Sequence, residues 1–108
     1  MNLPSETFGD VVVVHTPEEL TAEQSERLEE FLVTLDRRNV VVDLDNTEVI
    51  DSPGLTALVE SRDNLRSLNG DLKVATTSTT NRKILEITRL DAELEVFDSV
   101  IDAVRSFC

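Results

Sequence analysis

The stretch Val40-Val41-Val42-Asp43-Leu44-Asp45-Asn46-Thr47-Glu48-Val49-Ile50-Asp51-Ser52-Pro53-Gly54-Leu55 decides the fold. An apolar strand ends in acidic and turn-forming residues. A second, shorter apolar step then delivers one serine to the start of a helix. Ser52 has the chemistry of an N-cap, Pro53 suits the first helical position, and apolar spacing begins at Leu55. A hydroxyl there lies beside a helix N-terminus, where free backbone N–H groups and the helix dipole favour an anion. The same residues are also ordinary turn chemistry, since Asp and Ser are common caps and Ser-Pro-Gly is a common turn. Spacing alone leaves a plain cap and a regulatory hydroxyl both open.

Working outward, Phe8 to His15 holds four consecutive valines between Gly9-Asp10 and Thr16-Pro17 and reads as a buried strand. A short edge strand is expected before it, near Leu3 to Phe8, with Pro4 restricting it to an edge. Thr21-Ala22-Glu23-Gln24 resembles a capping box, and Leu28, Phe31, Leu32 and Leu35 follow at helical spacing. After Ser52, the positions Leu55, Leu58, Val59, Leu65 and Leu68 trace one face of a helix that Asn69-Gly70 ends. Leu72 to Thr76 is a strand, and Asn81 to Leu90 a short helix with Ile84, Leu85 and Ile87 inward. Leu94 to Phe97 is a last strand, and Ser99 caps a helix carrying Val100, Ile101, Val104 and Phe107. Strands alternating with helices imply right-handed crossovers. The expected fold class is therefore α/β, with a mostly parallel sheet of four to five strands and about four helices.

The chain has 108 residues, enough for one small domain, so residues 1–108 are expected to form a single unit. Its longest apolar run, Val11 to Val14, is far too short to insert into a membrane. Met1-Asn2-Leu3-Pro4-Ser5-Glu6 lacks the basic and apolar regions of a signal peptide, and the one cysteine, Cys108, allows no internal disulfide. A cytoplasmic location is the expectation. With 22 acidic against 10 basic residues the net charge is −12, which argues against nucleic acid or an anionic membrane surface as partner. It is compatible with a basic protein.

Other chemistry finds no support in the pattern. No phosphate-cradling G-x-x-x-x-G-K-[ST] loop accompanies Asp51-Ser52-Pro53-Gly54, and three glycines cannot supply a dinucleotide fingerprint. Asp43, Asp45, Glu48 and Asp51 break the calcium-loop pattern, because Glu48 stands where the tight turn needs glycine. One histidine and one cysteine make no ordinary zinc site. Nothing in the sequence offers Ser52 a base, so neither a catalytic role nor a cofactor is expected. A phosphoryl-receiver domain would need an acidic pair after its first strand, where this chain has His15-Thr16.

The central segment resembles the STAS domain of bacterial anti-sigma factor antagonists. That family's pattern is a V-x-L-D-L strand leading through an apolar pair into D-S-x-G-L. Val41, Val42, Asp43 and Leu44, then Asp51, Ser52, Gly54 and Leu55, match it. The β-β-α-β-α-β-α-β-α order also matches over nearly the whole chain. The resemblance implies a mixed sheet whose N-terminal strands form a hairpin, and a non-enzymatic regulator of transcription. It implies that Ser52 is phosphorylated by the anti-sigma factor, an ATP-binding serine kinase, with a phosphatase as a further partner. It also implies a docking surface on Glu18 (or Glu19), Asp51, Ser52, Pro53, Gly54 and Thr56. Two departures stand out. Position 53 is usually small or hydroxylated, and the family's G-E-L-D-like turn is replaced here by His15-Thr16-Pro17-Glu18-Glu19-Leu20. They favour a second reading, a STAS-type adaptor in a signalling or transporter complex that is never phosphorylated.

Overall fold

The computed structural model describes residues 3–108. Five strands form the main sheet: β1 (Ser5–Phe8), β2 (Val11–His15), β4 (Asn39–Asp43), β6 (Asp71–Ala75) and β7 (Val96–Phe97), side by side in that order. β1 and β2 make an antiparallel hairpin, and every other pairing in this sheet is parallel. Two further strands, β3 (Glu19–Leu20) and β5 (Val49–Ile50), pair in parallel as a second, two-stranded sheet. The helices of the described residues are α1 (Ala22–Val33), α2 (Ser52–Ser67), α3 (Thr79–Ile87) and α4 (Val100–Arg105), with a 3-10 turn at Leu90–Ala92. The α/β class and the mixed, mostly parallel sheet expected from the sequence are both present.

The valine runs are continuous because the central strands are covered on both sides. Side chains alternate between faces with a period of two. Val12 and Val14, aligned with Val40 and Val42 and then with Leu72 and Val74, pack against Leu28, Leu32, Leu58, Leu65 and Leu85 of the helices. Val11, Val13, Val41 and Ala75 point the other way, under Ala103 of α4, with Phe97, Val100, Val104 and Phe107 at the margin. That second face has a buried cation at its centre. Lys73 donates from Nζ to the Ser106 carbonyl (3.3 Å) and to Ser106 Oγ (2.8 Å). Its ammonium also lies 4.2 Å from the Phe107 ring centroid and 3.6 Å from a Glu95 oxygen. Hydrogen bonds and ring contact replace the water that a buried ammonium loses.

Several local expectations change in detail. β1 starts after Pro4, whose carbonyl accepts from the His15 N–H (2.9 Å), so the missing proline N–H costs no ladder bond. α3 starts at Thr79, because Ser78 caps it by accepting from the Asn81 N–H (3.2 Å). That frame turns Asn81 and Leu85 inward, one turn apart. Ile87, expected inside, lies two residues beyond Leu85, roughly on the opposite side of the helix, and is 71% exposed. Ile101 and Leu68 also face outward. The last strand is shorter than Leu94 to Phe97, because Leu94 is drawn into the core as the chain leaves the 3-10 turn.

α2 ends as the sequence suggested, with its residues in different roles. Asn69, not Gly70, takes the left-handed conformation (φ 67°). The N–H of Gly70 donates to the Leu65 carbonyl and that of Asn69 to the Arg66 carbonyl, a Schellman closure. Gly70 is needed for space, since a Cβ there would stand 2.0 Å from the Arg38 carbonyl oxygen. Gly70→Ala should therefore lower stability by about 1–3 kcal/mol through forced displacement of the loop before β4. Chemical denaturation measures the loss, and an unchanged midpoint would contradict this account of Gly70.

Candidate functional site

The C-terminal ends of the parallel strands carry the loops that deliver the Ser52 segment. The loop after β2 and the loop after β4 are clasped together. The Glu18 carbonyl accepts from the N–H groups of Glu48 (2.7 Å) and Val49 (3.2 Å), and the Leu20 carbonyl accepts from Asp51 N–H (3.4 Å). Glu19–Leu20 and Val49–Ile50 thus pair as two-residue parallel strands. Beneath them the Thr16 and Thr47 hydroxyls meet at 2.5 Å, and Thr47 donates to the Pro17 carbonyl (2.5 Å). From the other side Asn81 Nδ2 donates to the carbonyls of Leu44 (3.1 Å) and Thr47 (2.9 Å). Asp45 accepts from the Thr77 N–H (2.6 Å). The loop between β4 and β5 is laced on both flanks before it reaches Asp51.

Asp51, not Ser52, caps α2. Its backbone is extended (φ −102°, ψ −178°), and its carboxylate accepts from the Gly54 N–H (3.0 Å). Ser52 becomes the first helical residue and Pro53 the second, one place later than expected. Proline remains compatible there, because the first N–H groups of a helix have no partner within it. The shift matters chemically. Since Asp51 performs the capping, the Ser52 hydroxyl is not used as a cap, and Ser52 is exposed. Gly54 comes next and is buried; a Cβ on it would stand 2.2 Å from the Leu20 carbonyl oxygen.

The residues expected to share a docking surface do lie close together, in unequal roles. Ser52, Pro53 and Thr56 are exposed on the first turns of α2, with Ser52 and Thr56 one turn apart on the same side. Gly54 shapes this surface from beneath without forming part of it. Asp51 is half-buried, engaged at the cap, and Glu18 and Glu19 project from the clasped loop with exposed side chains. Ser52 sits on a ridge between two shallow clefts. One runs between α2 and the 3-10 turn, past Leu55, Val59, Thr88 and Leu90; the other runs between α1 and α2, past Ser25, Glu26, Glu29 and Glu60. The hydrogen-bonding roles of Asn81 and Thr47, and the pairing of the short apolar step Val49–Ile50 with Glu19–Leu20, escaped the sequence reading. The signal available for Thr47 and Asn81 was weak: a hydroxyl in a turn and an amide in the first turn of a helix, residue types common in both places.

His15 closes the far edge of this loop cluster. With both ring nitrogens protonated it donates from Nδ1 to Asp43 Oδ2 and from Nε2 to Glu6 Oε1, each at 2.8 Å. The hydrogen bond to Glu6 raises its pKa above the usual 6.5; burial opposes, and the hydrogen bond to and charge of Asp43 add to the rise.

The family model for the STAS domain matches residues 2–103. This chain belongs to the STAS domain family. Among solved structures, an anti-sigma factor antagonist from Mycobacterium paratuberculosis is similar to this STAS domain at 22% identity and a TM-score of 0.84, over 96% of this chain and 91% of that one. The Bacillus cell fate determinant SpoIIAA in its phosphorylated form is similar at 16% identity and a TM-score of 0.73, over 98% and 99% of the two chains. A sulfate transporter family protein from Wolinella succinogenes is similar at 18% identity and a TM-score of 0.77, over 94% and 87%. At these identities the likeness establishes the fold. No curated protein matches this STAS domain in sequence. Among the described residues no helix is long and apolar enough to cross a membrane.

Two outcomes test the site's construction. Gly54→Ala should lower stability by about 1–3 kcal/mol in denaturant, because the added methyl meets backbone rather than a yielding side chain. For His15 the folded pKa lies above the unfolded value, so its contribution is fully present below about pH 6.5. It is lost as pH rises through the higher folded pKa. The stability difference between wild type and His15→Gln should therefore shrink across that window, and added salt should shrink it further because Glu6 is exposed. A difference independent of pH would refute the bridge.

Proposed function

We propose that this STAS domain is an anti-sigma factor antagonist whose binding to an anti-sigma factor kinase is controlled at Ser52. The observation that carries the reading is an exposed serine at the first helical position of α2, released from capping by Asp51. In this reading residues 1–108 act as one cytoplasmic domain without a cofactor. Unmodified, the surface of Glu18, Asp51, Ser52, Pro53 and Thr56, shaped by Gly54, docks on the kinase and draws it from its sigma factor.

Phosphorylation of Ser52 adds about −1.5 to −2 charge and a bulky group at the centre of that contact. The N-terminus of α2 tolerates the anion, so the domain keeps its fold. Docking then requires the phosphate and the Asp51 carboxylate to lose water side by side. Unpaired buried charge of that kind costs on the order of a few kcal/mol. Affinity falls while the structure stays. A phosphatase restores the unmodified surface.

A second reading is an adaptor that holds a signalling or transporter assembly without modification. It is favoured by Pro53 beside the hydroxyl, by the absent G-E-L-D turn, and by the likeness to a sulfate transporter family protein. Pull-down from native lysate with wild type, Ser52→Ala and Ser52→Asp separates the two. The switch predicts an ATP-binding kinase partner retained by wild type and alanine and depleted at least tenfold by aspartate, with a phosphate adduct in the intact mass of the native protein. Identical partners on all three baits would reduce Ser52 to an ordinary surface residue.

A further inference from the structure

The second cleft beside Ser52 continues along α1 and α2 into a deeper groove, and the two share Glu29 and Glu60. Glu29 comes from α1 and Glu60 from α2, and both line the groove. Burial raises the pKa of Glu29, and the charge of Glu60, a hydrogen bond with it and the charge of Glu26 add to the rise. Two carboxylates held together in this way attract a positive group. Ser61 supplies a second, independent sign of a missing partner. It is 7% exposed, lines the same groove, and its Oγ has no hydrogen-bond partner among the described residues. A buried hydroxyl without a partner is uncommon. The groove wall beside it is apolar, formed by Leu32 and Leu65. Its other end is basic, with Arg37 and Arg38, each donating to a backbone carbonyl, of Gly9 and Leu68 respectively.

We propose that this groove receives an arginine side chain of the partner protein, its guanidinium shared by Glu29, Glu60 and the Ser61 hydroxyl and its stem lying on Leu32 and Leu65. The donor set fits. A guanidinium carries five N–H donors in a rigid plane and no acceptor, so it can serve two carboxylates and a hydroxyl oxygen at once. Its methylene stem covers apolar surface while the head stays with the charges. The proposal rests on the reading of this domain as an interaction module, and it places the anchor away from the switch. Glu60 is eight residues beyond Ser52 on α2, about 12 Å along the helix. The Ser52 pull-down reads the switch, and the groove is read separately.

The test is a titration of capped tri-arginine peptide into isotopically labelled full-length protein, followed by amide NMR shifts, with tri-lysine and tri-glutamine peptides as controls. Saturable shifts should centre on residues 26–32 and 57–65. The Glu29→Gln/Glu60→Gln pair should weaken binding about tenfold without loss of thermal stability, since it removes a like-charge contact. Ser61→Ala should weaken binding several-fold while leaving the free protein equally or more stable, a combination that a merely structural serine does not produce. Shifts spread over the whole acidic surface, equal shifts from tri-lysine, or binding unchanged in these variants would overturn the proposal.

Discussion

A Cβ on residue 54 would meet the carbonyl oxygen of Leu20 at 2.2 Å, and that same oxygen accepts the N–H of Asp51. One backbone atom of the loop after β2 therefore fixes both the last extended residue before α2 and the third residue within it. With that contact in place, Asp51 is held extended and its carboxylate falls on the Gly54 N–H. Ser52, between them, is exposed. The contact also closes the two-residue pairing of Glu19–Leu20 with Val49–Ile50, so the loop bearing Glu18 stands beside the serine at a set distance. A surface assembled from two loops far apart in sequence becomes a single rigid unit, which lowers the ordering cost of any partner contact.

How much of this was readable in the residues follows from the range of the forces involved. The valine runs and the helix faces were readable, because burial on both faces of a central strand, or on one stripe of a helix, leaves a periodic trace along the chain. The identity of the α2 cap was not. Asp51 and Ser52 are both good caps, each three residues before an available N–H, and local chemistry does not rank them. The choice is made by the Leu20 carbonyl, thirty-one residues away from Asp51. Asn81 is similar: its role is to hold two carbonyls more than thirty residues upstream, and no local pattern encodes that. Ile87 faces outward for a local reason: it lies about 200° around the helix from the buried Leu85, so the two cannot share one face.

The acidic residues of the central segment divide into two groups. Asp43, Asp45 and Asp51 each accept from backbone N–H groups, those of Asp45, Thr77 and Gly54, and so hold the loops in shape. Glu18, Glu19 and Glu48 keep exposed side chains. The net charge of −12 is therefore partly architectural. A carboxylate that accepts fixed backbone donors rigidifies a turn, whereas an exposed one mainly contributes to the long-range field that guides encounters.

The two faces of the main sheet are covered very unequally. Three helices and the larger core lie on one side, while the six-residue α4 lies on the other, held by Ala103, Phe107 and the Lys73 contacts. α4 is the shortest of these helices, so opening of the C-terminal segment is expected at the low end of the molecule's local unfolding energies. The lacing around Ser52 lies on loops that α4 does not hold. Amide exchange in such a molecule separates into two classes: the C-terminal segment exchanges through frequent small openings, and the central valine strands only when the whole fold is lost.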